Sequence, residues 1–331
     1  MTMSRLITYF AALAITNLAT GATATAKLNA KAGAKTSGKA IEKVRIALNW
    51  KPEPQFGGFY AARFENLDQK NGIELDLVPG GAGTPVVQMV AAGKFEFGIV
   101  SGDEVIVSRA RGSDVVALFA SYQTNPQAIL THAERGFESL ADVFKSDGTI
   151  AMQKGLPYAI FLQRKFATVM KASLVPYLGG ISNFLSRSDH SQQCFVTSEP
   201  FIARKQGAKV KTFLVAESGF NPYTTVVITR RSVLKEKPEL VKNVLATVKA
   251  GWRRYLDQPD DINAKMHELN PSIDIETFKL MSDAQKPLVE TSKGFEVGSM
   301  TEARWSELAD QLESMKMIDQ KPAADGLFVK F

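Results

Sequence analysis

Short apolar runs alternate with longer periodic segments from Val44 onward. The runs are typical of buried strands, and the segments between them carry apolar residues at helical spacing. The first predicted strands are VRIALNW, IELDLVP, FEFGIVS and VVALFASY, and the helices between them span residues 57–72, 84–94 and 103–112. A strand, helix, strand repeat predicts a parallel sheet with crossover helices.

A second series of the same kind follows, from the run QAILTH to the run VKTFLVA, and predicts a second sheet of similar size. After TTVVITRR the chain is helical from Lys237 to Ile318, so no strand remains for a third sheet. We therefore predict an α/β protein with two lobes, each a mainly parallel sheet flanked by helices. The chain crosses near Gln123 and returns near Tyr223, and these two crossings form a hinge. The predicted lobes are residues 41–124 with 225–331 and residues 125–224.

The first 40 residues differ from the rest. Arg5 precedes an apolar stretch, Leu6 to Leu18, which is too short to span a bilayer, and Ala24 to Ala26 has the small residues of a cleavage site. We predict a signal peptide over residues 1–26 and a flexible linker over residues 27–40, with an amphipathic surface helix as the alternative. No cysteine lies there to carry a lipid, so the expected location is the periplasm, without an anchor.

The net charge of +6 comes largely from the same segment. Five basic and no acidic residues precede position 41, and the remaining 35 basic residues face 34 acidic ones. The body therefore has no basic stripe for a phosphate backbone, which argues against nucleic-acid binding. Cys194 is the sole cysteine, so an internal disulfide and a multi-thiolate metal site are excluded. We read it as an inert core thiol and expect a monomer.

Candidate ligand contacts lie where strands end, because ligands of open parallel sheets bind outside the carboxyl ends of the strands. Aromatic side chains and two glycines follow the first strand, and acidic, amide and helix-start residues follow later ones. Each also has a purely structural interpretation, such as a gap filler for Trp50 or a helix cap for Asp103. The predicted ligand-binding residues are Asn49, Trp50, Phe56, Tyr60, Ser101, Asp103, Gln123, Gly155, Tyr158, Glu199 and Tyr223.

Catalytic patterns are missing from the sequence. His132, His190 and His267 have no metal-ligand spacing, and neither a G-x-S-x-G elbow nor a P-loop occurs. The run PGGAG at residues 79–83 resembles a phosphate-binding loop only weakly. We therefore expect no catalytic residue, no metal and no cofactor.

The order of these features resembles the periplasmic substrate-binding proteins of ABC importers, in the group that includes receptors for nitrate, alkanesulfonates, taurine and thiamine-pyrimidine precursors. The resemblance covers about residues 44–256. Its motifs are LNWKPEPQFGGFYAA, MVAAGKFEFGIVSGDEV, ARGSDVVALFASYQ, FVTSEPFIARKQGAKV and GFNPYTTVVITRR followed by KPELV. It implies a type II binding-protein fold that captures one small molecule and presents it to an ABC permease and its ATPase.

Within that group, the arrangement around Trp50 is most similar to receptors for pyrimidine precursors. The resemblance implies ring contact by Trp50 and cleft-facing acids at Asp103 and Glu199. Fungal relatives that synthesise the pyrimidine carry a cysteine-rich run where this chain reads Tyr223-Thr-Thr-Val-Val. We expect a binding protein for a small planar or anionic ligand. A synthase-like enzyme, a receptor for sulfonate, nitrate or taurine, and a ligand-sensing module are the alternatives.

Overall fold

The computed structural model describes residues 41–292 and 295–331, so the predicted signal peptide and linker lie outside the described residues. Strands and helices alternate through most of this range. The strands are β1 Glu42–Ala47, β2 Ile73–Val78, β3 Phe97–Val100, β4 Val115–Tyr122, β5 Gln127–His132, β6 Thr149–Met152, β7 Ser173–Pro176, β8 His190–Phe195, β9 Val210–Leu214 and β10 Thr224–Arg230. The helices are α1 Gly57–Phe64, α2 Leu67–Lys70, α3 Val86–Ala91, α4 Gly102–Ala110, α5 Leu140–Lys145, α6 Pro157–Lys165, α7 Ser182–Ser186, α8 Glu199–Lys205, α9 Arg231–Glu236, α10 Pro238–Asp257, α11 Asp260–Leu269, α12 Ile275–Val289 and α13 Glu302–Ser314.

The strands form two five-stranded sheets. The first has the order β2-β1-β3-β10-β4 and the second the order β7-β6-β8-β5-β9. We call the first sheet with its helices lobe 1 and the second with its helices lobe 2. The chain passes from lobe 1 to lobe 2 between β4 and β5, and it returns between β9 and β10. The α/β architecture with two sheets is thus the predicted one.

Both sheets are mixed, because each contains one antiparallel strand. β10 runs antiparallel to β3 and β4, and β5 runs antiparallel to β8 and β9. Each of these strands is the first one after a crossing, so it enters its sheet from the side of the cleft. The sequence pattern gave no sign of this reversal, since strand direction is set by the connection and not by hydrophobicity.

Apolar packing joins the two lobes as well as filling each. One cluster of buried side chains runs from Val100 and Ile106 in lobe 1 through Tyr223 to Ile129 and Phe144 in lobe 2. The free edge of β4 is covered by the C-terminal segment, where Ala117 pairs with Phe328. Covering this edge satisfies its backbone groups and explains why all of β4 is buried. In the described part of the chain, no helix is both long and apolar enough to cross a membrane.

The glycine pair of the QFGGFY motif serves helix packing. A Cβ built on Gly58 would lie 2.3 Å from the Trp252 ring, and one on Gly251 would lie 2.1 Å from the carbonyl oxygen of Gly58. Facing glycines let α1 and α10 approach closely. Gly57 and Gly58, the two glycines that follow the first strand, are therefore needed for packing against α10.

Two element boundaries differ from the predicted ones for physical reasons. The predicted helix over residues 57–72 is two helices, because Asn66 between them has a left-handed φ of 54°. The apolar run CFVTS predicts a strand over residues 194–198, whereas the strand in the structure begins at His190 and ends at Phe195. Its first residues are polar but buried, so a hydrophobicity pattern places the strand too late.

Candidate ligand-binding cavity

A cavity of about 400 Å³ lies between the lobes. Its wall comes from the loops after β1, β2 and β3, from both crossing segments, and from the starts of α6 and α8. The lining residues are Asn49, Trp50, Glu53, Gln55, Gly81, Ala82, Gly83, Thr84, Pro85, Gln88, Ser101, Asp103, Glu104, Asn125, Gln127, Gln153, Leu156, Pro157, Tyr158, Tyr177, Gln193, Cys194, Phe195, Ser198, Glu199, Val215, Phe220, Pro222 and Thr224. The volume is in the range of pockets that enclose a small organic molecule.

Trp50 and Glu53 form one wall of the cavity. The indole Nε1 of Trp50 donates to Oε1 of Glu53 at 3.1 Å, and the hydroxyl of Ser198 donates to Oε2 at 2.9 Å. Ser198 belongs to lobe 2, so the second hydrogen bond crosses the cleft. Burial, with the negative charge of Glu199 nearby, raises the pKa of Glu53 to about 7.

Asp103 and Glu104 open α4 on the lobe 1 side of the cavity. The backbone N–H of Ser101 donates to Oε2 of Glu104 at 2.8 Å, which fixes the start of the helix. Asp103 is buried, and its Oδ1 has no hydrogen-bond partner. Burial raises the pKa of Asp103, and burial next to Asp103 raises the pKa of Glu104 to about 7. This part of the wall therefore has unsatisfied acceptor capacity.

Glu199 stands at the first position of α8 on the lobe 2 side. Its Oε2 accepts from the backbone N–H of Phe195 at 2.9 Å, and its Oε1 accepts from the hydroxyl of Tyr177 at 3.2 Å. Burial raises the pKa of Glu199 above its ordinary value despite these donors. The carboxyl group is held in place by its own lobe.

Amide side chains complete the lobe 2 wall. The hydroxyl of Tyr158 and the backbone N–H of Gln153 both donate to Oε1 of Gln193, and Nε2 of Gln193 donates to Oε1 of Gln153 at 3.0 Å. The amide of Gln127 donates to the carbonyl of Cys194 at 3.2 Å. Amides in such a chain have fixed donor and acceptor sides, so they can recognise the hydrogen-bond pattern of a heterocycle.

The cavity has an acidic lining. It contains four carboxyl groups, those of Glu53, Asp103, Glu104 and Glu199, and among the described residues that line it there is no Lys, Arg or His. A bound anion would raise the cost of ionising these carboxyl groups and would meet no counter-charge, whereas a cation or an N–H donor would favour their ionised form and find acceptors.

Six of the eleven predicted residues line this cavity, and they come from both lobes. They are Asn49, Trp50, Ser101, Asp103, Tyr158 and Glu199. Phe56 and Tyr60 do not line it, because α1 turns them into the lobe 1 core, where they are almost completely buried. Phe56 directly precedes the two glycines and Tyr60 follows four residues later, a helical spacing that places both rings on the face toward the lobe 1 core.

The other three predicted residues also lie away from the cavity wall. Gln123 donates to the carbonyls of Ala120 and Ser299, so its amide braces the crossing. Gly155 occupies an exposed turn with a φ of 87° before α6. Tyr223 is buried, and its hydroxyl accepts from the backbone N–H of Thr301.

Sequence reasoning missed several lining residues with polar side chains. Glu53 lies in a loop between two prolines, and the sequence there does not predict that its carboxyl group is buried. Residues 190–193 could have been found from the sequence. Their polar side chains come directly before the apolar end of a strand, which is typical of a strand that faces a polar cavity. The missed residues that make the hydrogen bonds described above are Glu53, Glu104, Gln127, Gln153, Tyr177, Gln193 and Ser198.

Cys194 lies on β8 and contributes to the cavity wall, although it was assigned to the core. The thiol is buried, and burial raises its pKa well above the ordinary value. A cysteine nucleophile requires a lowered pKa or an adjacent base. The raised pKa keeps Cys194 as a thiol at neutral pH.

A protein-family model matches more than half of the chain. The family model described as NMT1/THI5 like matches residues 53–153 and 180–262, which include Glu53, Asp103 and Glu199. The chain belongs to the NMT1/THI5-like family. The two matched segments of this NMT1/THI5-like protein carry both acidic walls of the cavity and the starts of α4 and α8.

Two characterised relatives of this NMT1/THI5-like protein are binding proteins. The formylaminopyrimidine-binding protein of Halalkalibacterium halodurans is 21% identical over 88% of this chain and 90% of that protein. The riboflavin-binding protein RibY of Chloroflexus aurantiacus is 24% identical over 67% of this chain and 64% of that protein. Both names describe capture of a nitrogen heterocycle.

Solved structures show that this NMT1/THI5-like protein has the periplasmic binding protein fold. The periplasmic aliphatic sulphonate-binding protein SsuA of Escherichia coli superimposes with a TM-score of 0.67 at 15% identity, covering 86% of this chain and 91% of SsuA. The desulfurization enzyme DSZB superimposes with a TM-score of 0.58 at 14% identity, covering 85% and 95%. At these identities the likeness concerns the fold alone, which hosts both binding proteins and an enzyme.

Proposed function

We propose that this protein is an exported solute-binding protein that captures a neutral or cationic nitrogen heterocycle of the aminopyrimidine class and delivers it to an ABC importer. Its two lobes are residues 41–124 with 225–331 and residues 125–224, and residues 1–26 are the export signal. The partners are the membrane permease and ATPase of the importer. The protein itself makes and breaks no bond.

The acidic lining is the observation that carries this proposal. Glu53, Asp103, Glu104 and Glu199 face a cavity whose described lining has no cation. A buried acceptor such as Oδ1 of Asp103 costs about 1–3 kcal/mol when it has no partner. An amino group or a protonated ring nitrogen supplies the missing donor, and a sulfonate or nitrate supplies only further acceptors. The anionic alternative is therefore the weaker one.

Aromatic side chains support a planar ligand. Trp50, Tyr158, Tyr177 and Phe220 all line the cavity, and the indole of Trp50 is held by Glu53. A flat ring gains both buried area and stacking energy on such a wall. The names of the two characterised relatives agree with a planar heterocycle.

The second part of the proposal is that the protein catalyses no reaction on its ligand. Catalysis by the cleft cysteine would need its thiolate, and burial raises the pKa of Cys194 well above the ordinary value. The synthase-like alternative would need a cysteine-rich run in β10, which here reads TTVVITR. Both observations favour binding without turnover.

Calorimetry with the purified mature protein tests the proposal. The probes are formylaminopyrimidine, riboflavin and an aliphatic sulfonate, each at neutral pH. We expect tight binding of formylaminopyrimidine, a raised melting temperature by mass action and no binding of the sulfonate. Sulfonate binding with no response to either heterocycle would contradict the proposal. Mass spectrometry after prolonged incubation should return the probe unchanged.

A further inference from the structure

Glu53 is the residue that touches both lobes at the cavity. It lies in the loop after β1 and is only 8% exposed. One carboxylate oxygen accepts from the indole of Trp50 in the same lobe, and the other accepts from the hydroxyl of Ser198 in lobe 2. A single buried side chain thus binds the aromatic wall and the opposite lobe at once.

We propose that Glu53 is a positioning residue that orients the Trp50 ring and, through its hydrogen bond from Ser198, holds lobe 2 against lobe 1. We call this hydrogen bond between Ser198 and Glu53 the latch. Ring orientation and lobe closure then depend on the same carboxyl group. This inference rests on the proposed function, since it concerns how that cavity closes around its ligand.

Helix α8 couples the hydrogen bond between Ser198 and Glu53 to the cavity wall. Ser198 precedes the helix and bonds to Glu53, and Glu199, the next residue, reaches the cavity wall. Phe201 and Ile202 pack against the lobe 1 core. When lobe 2 moves away from lobe 1, the Ser198 bond breaks and Glu199 leaves the cavity in the same movement. Ligand release is therefore coupled to opening of the latch.

The far end of α8 provides a matched contact for comparison. Lys205 pairs with Asp274 of lobe 1 at 2.5 Å, and the side chains are 50% and 42% exposed. Solvent-exposed ion pairs add little to binding or stability. Hydrogen bonds from a buried hydroxyl to a carboxylate are stronger, because they are shielded from competing water while the lobes are closed. Both contacts join the same two lobes, but only the Ser198 contact belongs to the proposed latch.

The fluorescence emission of Trp50 tests, without any ligand, whether Glu53 orients the Trp50 ring. The protein has three tryptophans, and Trp252 and Trp305 are fully buried, so the difference between the wild type and Trp50→Phe isolates Trp50. We expect Glu53→Ala to shift this emission to longer wavelength. Glu53→Gln should leave it in place, because the amide oxygen still accepts from the indole. Unchanged emission in Glu53→Ala would overturn the assignment.

A double-mutant cycle tests the latch across the cleft. With formylaminopyrimidine as the probe, Glu53→Ala and Ser198→Ala should each weaken affinity by about ten-fold, mainly through faster dissociation. The double variant should be no weaker than Glu53→Ala alone, because Glu53→Ala already removes the hydrogen bond from Ser198 that Ser198→Ala removes. Lys205→Ala should stay within about two-fold of the wild type.

Three results would overturn the latch: wild-type affinity in Ser198→Ala, additive losses in the double variant, or an equal loss in Lys205→Ala. A wild type that binds none of the three probes would instead refute the proposed function. In that case the emission measurement alone decides whether Glu53 positions Trp50, so the two failures are distinguishable.

Discussion

The side-chain amide of Asn125 donates to the hydroxyl oxygen of Thr224 at 2.7 Å and thereby joins the two segments that connect the lobes. The same amide donates to the carbonyl of Pro222 at 3.1 Å, and the backbone N–H of Asn125 donates to the side chain of Asn221 at 2.8 Å. The two crossings are therefore cross-linked by a buried asparagine.

Replacing Asn125 by Ala should destabilise the protein by about 2 kcal/mol. The substitution leaves the Pro222 carbonyl without that donor, and the backbone N–H of Gln127 loses its acceptor, Oδ1 of Asn125. Denaturant unfolding followed by circular dichroism measures the loss. Asn183→Ala, at an exposed position of α7, is the control and should stay within about 0.5 kcal/mol. Equal stabilities of the two variants would refute the cross-link.

Stability should fall as the pH rises from about 4.5 to 8. The pKa values of Glu53 and Glu104 are raised to about 7 in the folded protein, so the folded state binds more protons than the unfolded state over this window. The stabilisation is complete below the unfolded pKa and is lost as the pH passes 7. The shifts correspond to about 3 kcal/mol for each group as an upper bound. Thermal melts across the pH range measure the slope.

Neutral replacements identify the groups responsible for this slope. Glu53→Gln should lower the pH dependence, and Glu53→Gln combined with Glu104→Gln should lower it further, with the remainder due to Asp103 and Glu199, whose pKa values are also raised. Both amides keep an oxygen that can accept the native hydrogen bond. A double variant that retains the wild-type slope would show that other groups cause it.

Close packing of α1 on α10 should make Gly251 intolerant of any side chain. A methyl group there would lie 2.1 Å from the carbonyl oxygen of Gly58 and 2.7 Å from the Cβ of Ala62. The backbone must move to relieve this overlap, so Gly251→Ala should cost about 3 kcal/mol in unfolding free energy. Gly81→Ala is the matched control, because a Cβ at Gly81 meets no atom within 4 Å. Chemical denaturation of both variants checks the difference.

Hydrophobic patterning predicted the strands whose buried faces are apolar. The bounds predicted for β4 and β5, residues 115–122 and 127–132, agree with the structure. The antiparallel directions of β5 and β10 were not predictable in this way. Direction follows from the path of the connection, which the apolar positions along one strand do not encode.

The cavity was predictable only where its residues end a strand or start a helix. Trp50, Asp103 and Glu199 were found by that rule, and all three line the cavity. Phe56 and Tyr60 were not separable from ligand contacts by sequence, because an aromatic ring suits a core and a binding wall equally well. Gln193 was missed because its strand was placed too late. A buried amide is visible only after the strand that carries it is known.

Asp103 provides a variant that should move affinity and stability in opposite directions. Its carboxyl group is buried, its Oδ1 has no partner, and burial raises its pKa. Asp103→Asn removes a buried ionisable group without a change in volume, so we expect an unchanged or higher melting temperature at pH 8. The same change replaces one carboxylate oxygen by an NH2 donor and removes the negative charge that a ligand donor would pair with, so affinity for formylaminopyrimidine should fall by about ten-fold or more. Calorimetry and thermal melts on one preparation measure both quantities. A helix cap would behave differently, since its loss lowers stability and leaves affinity alone, and that outcome would remove Asp103 from the binding site.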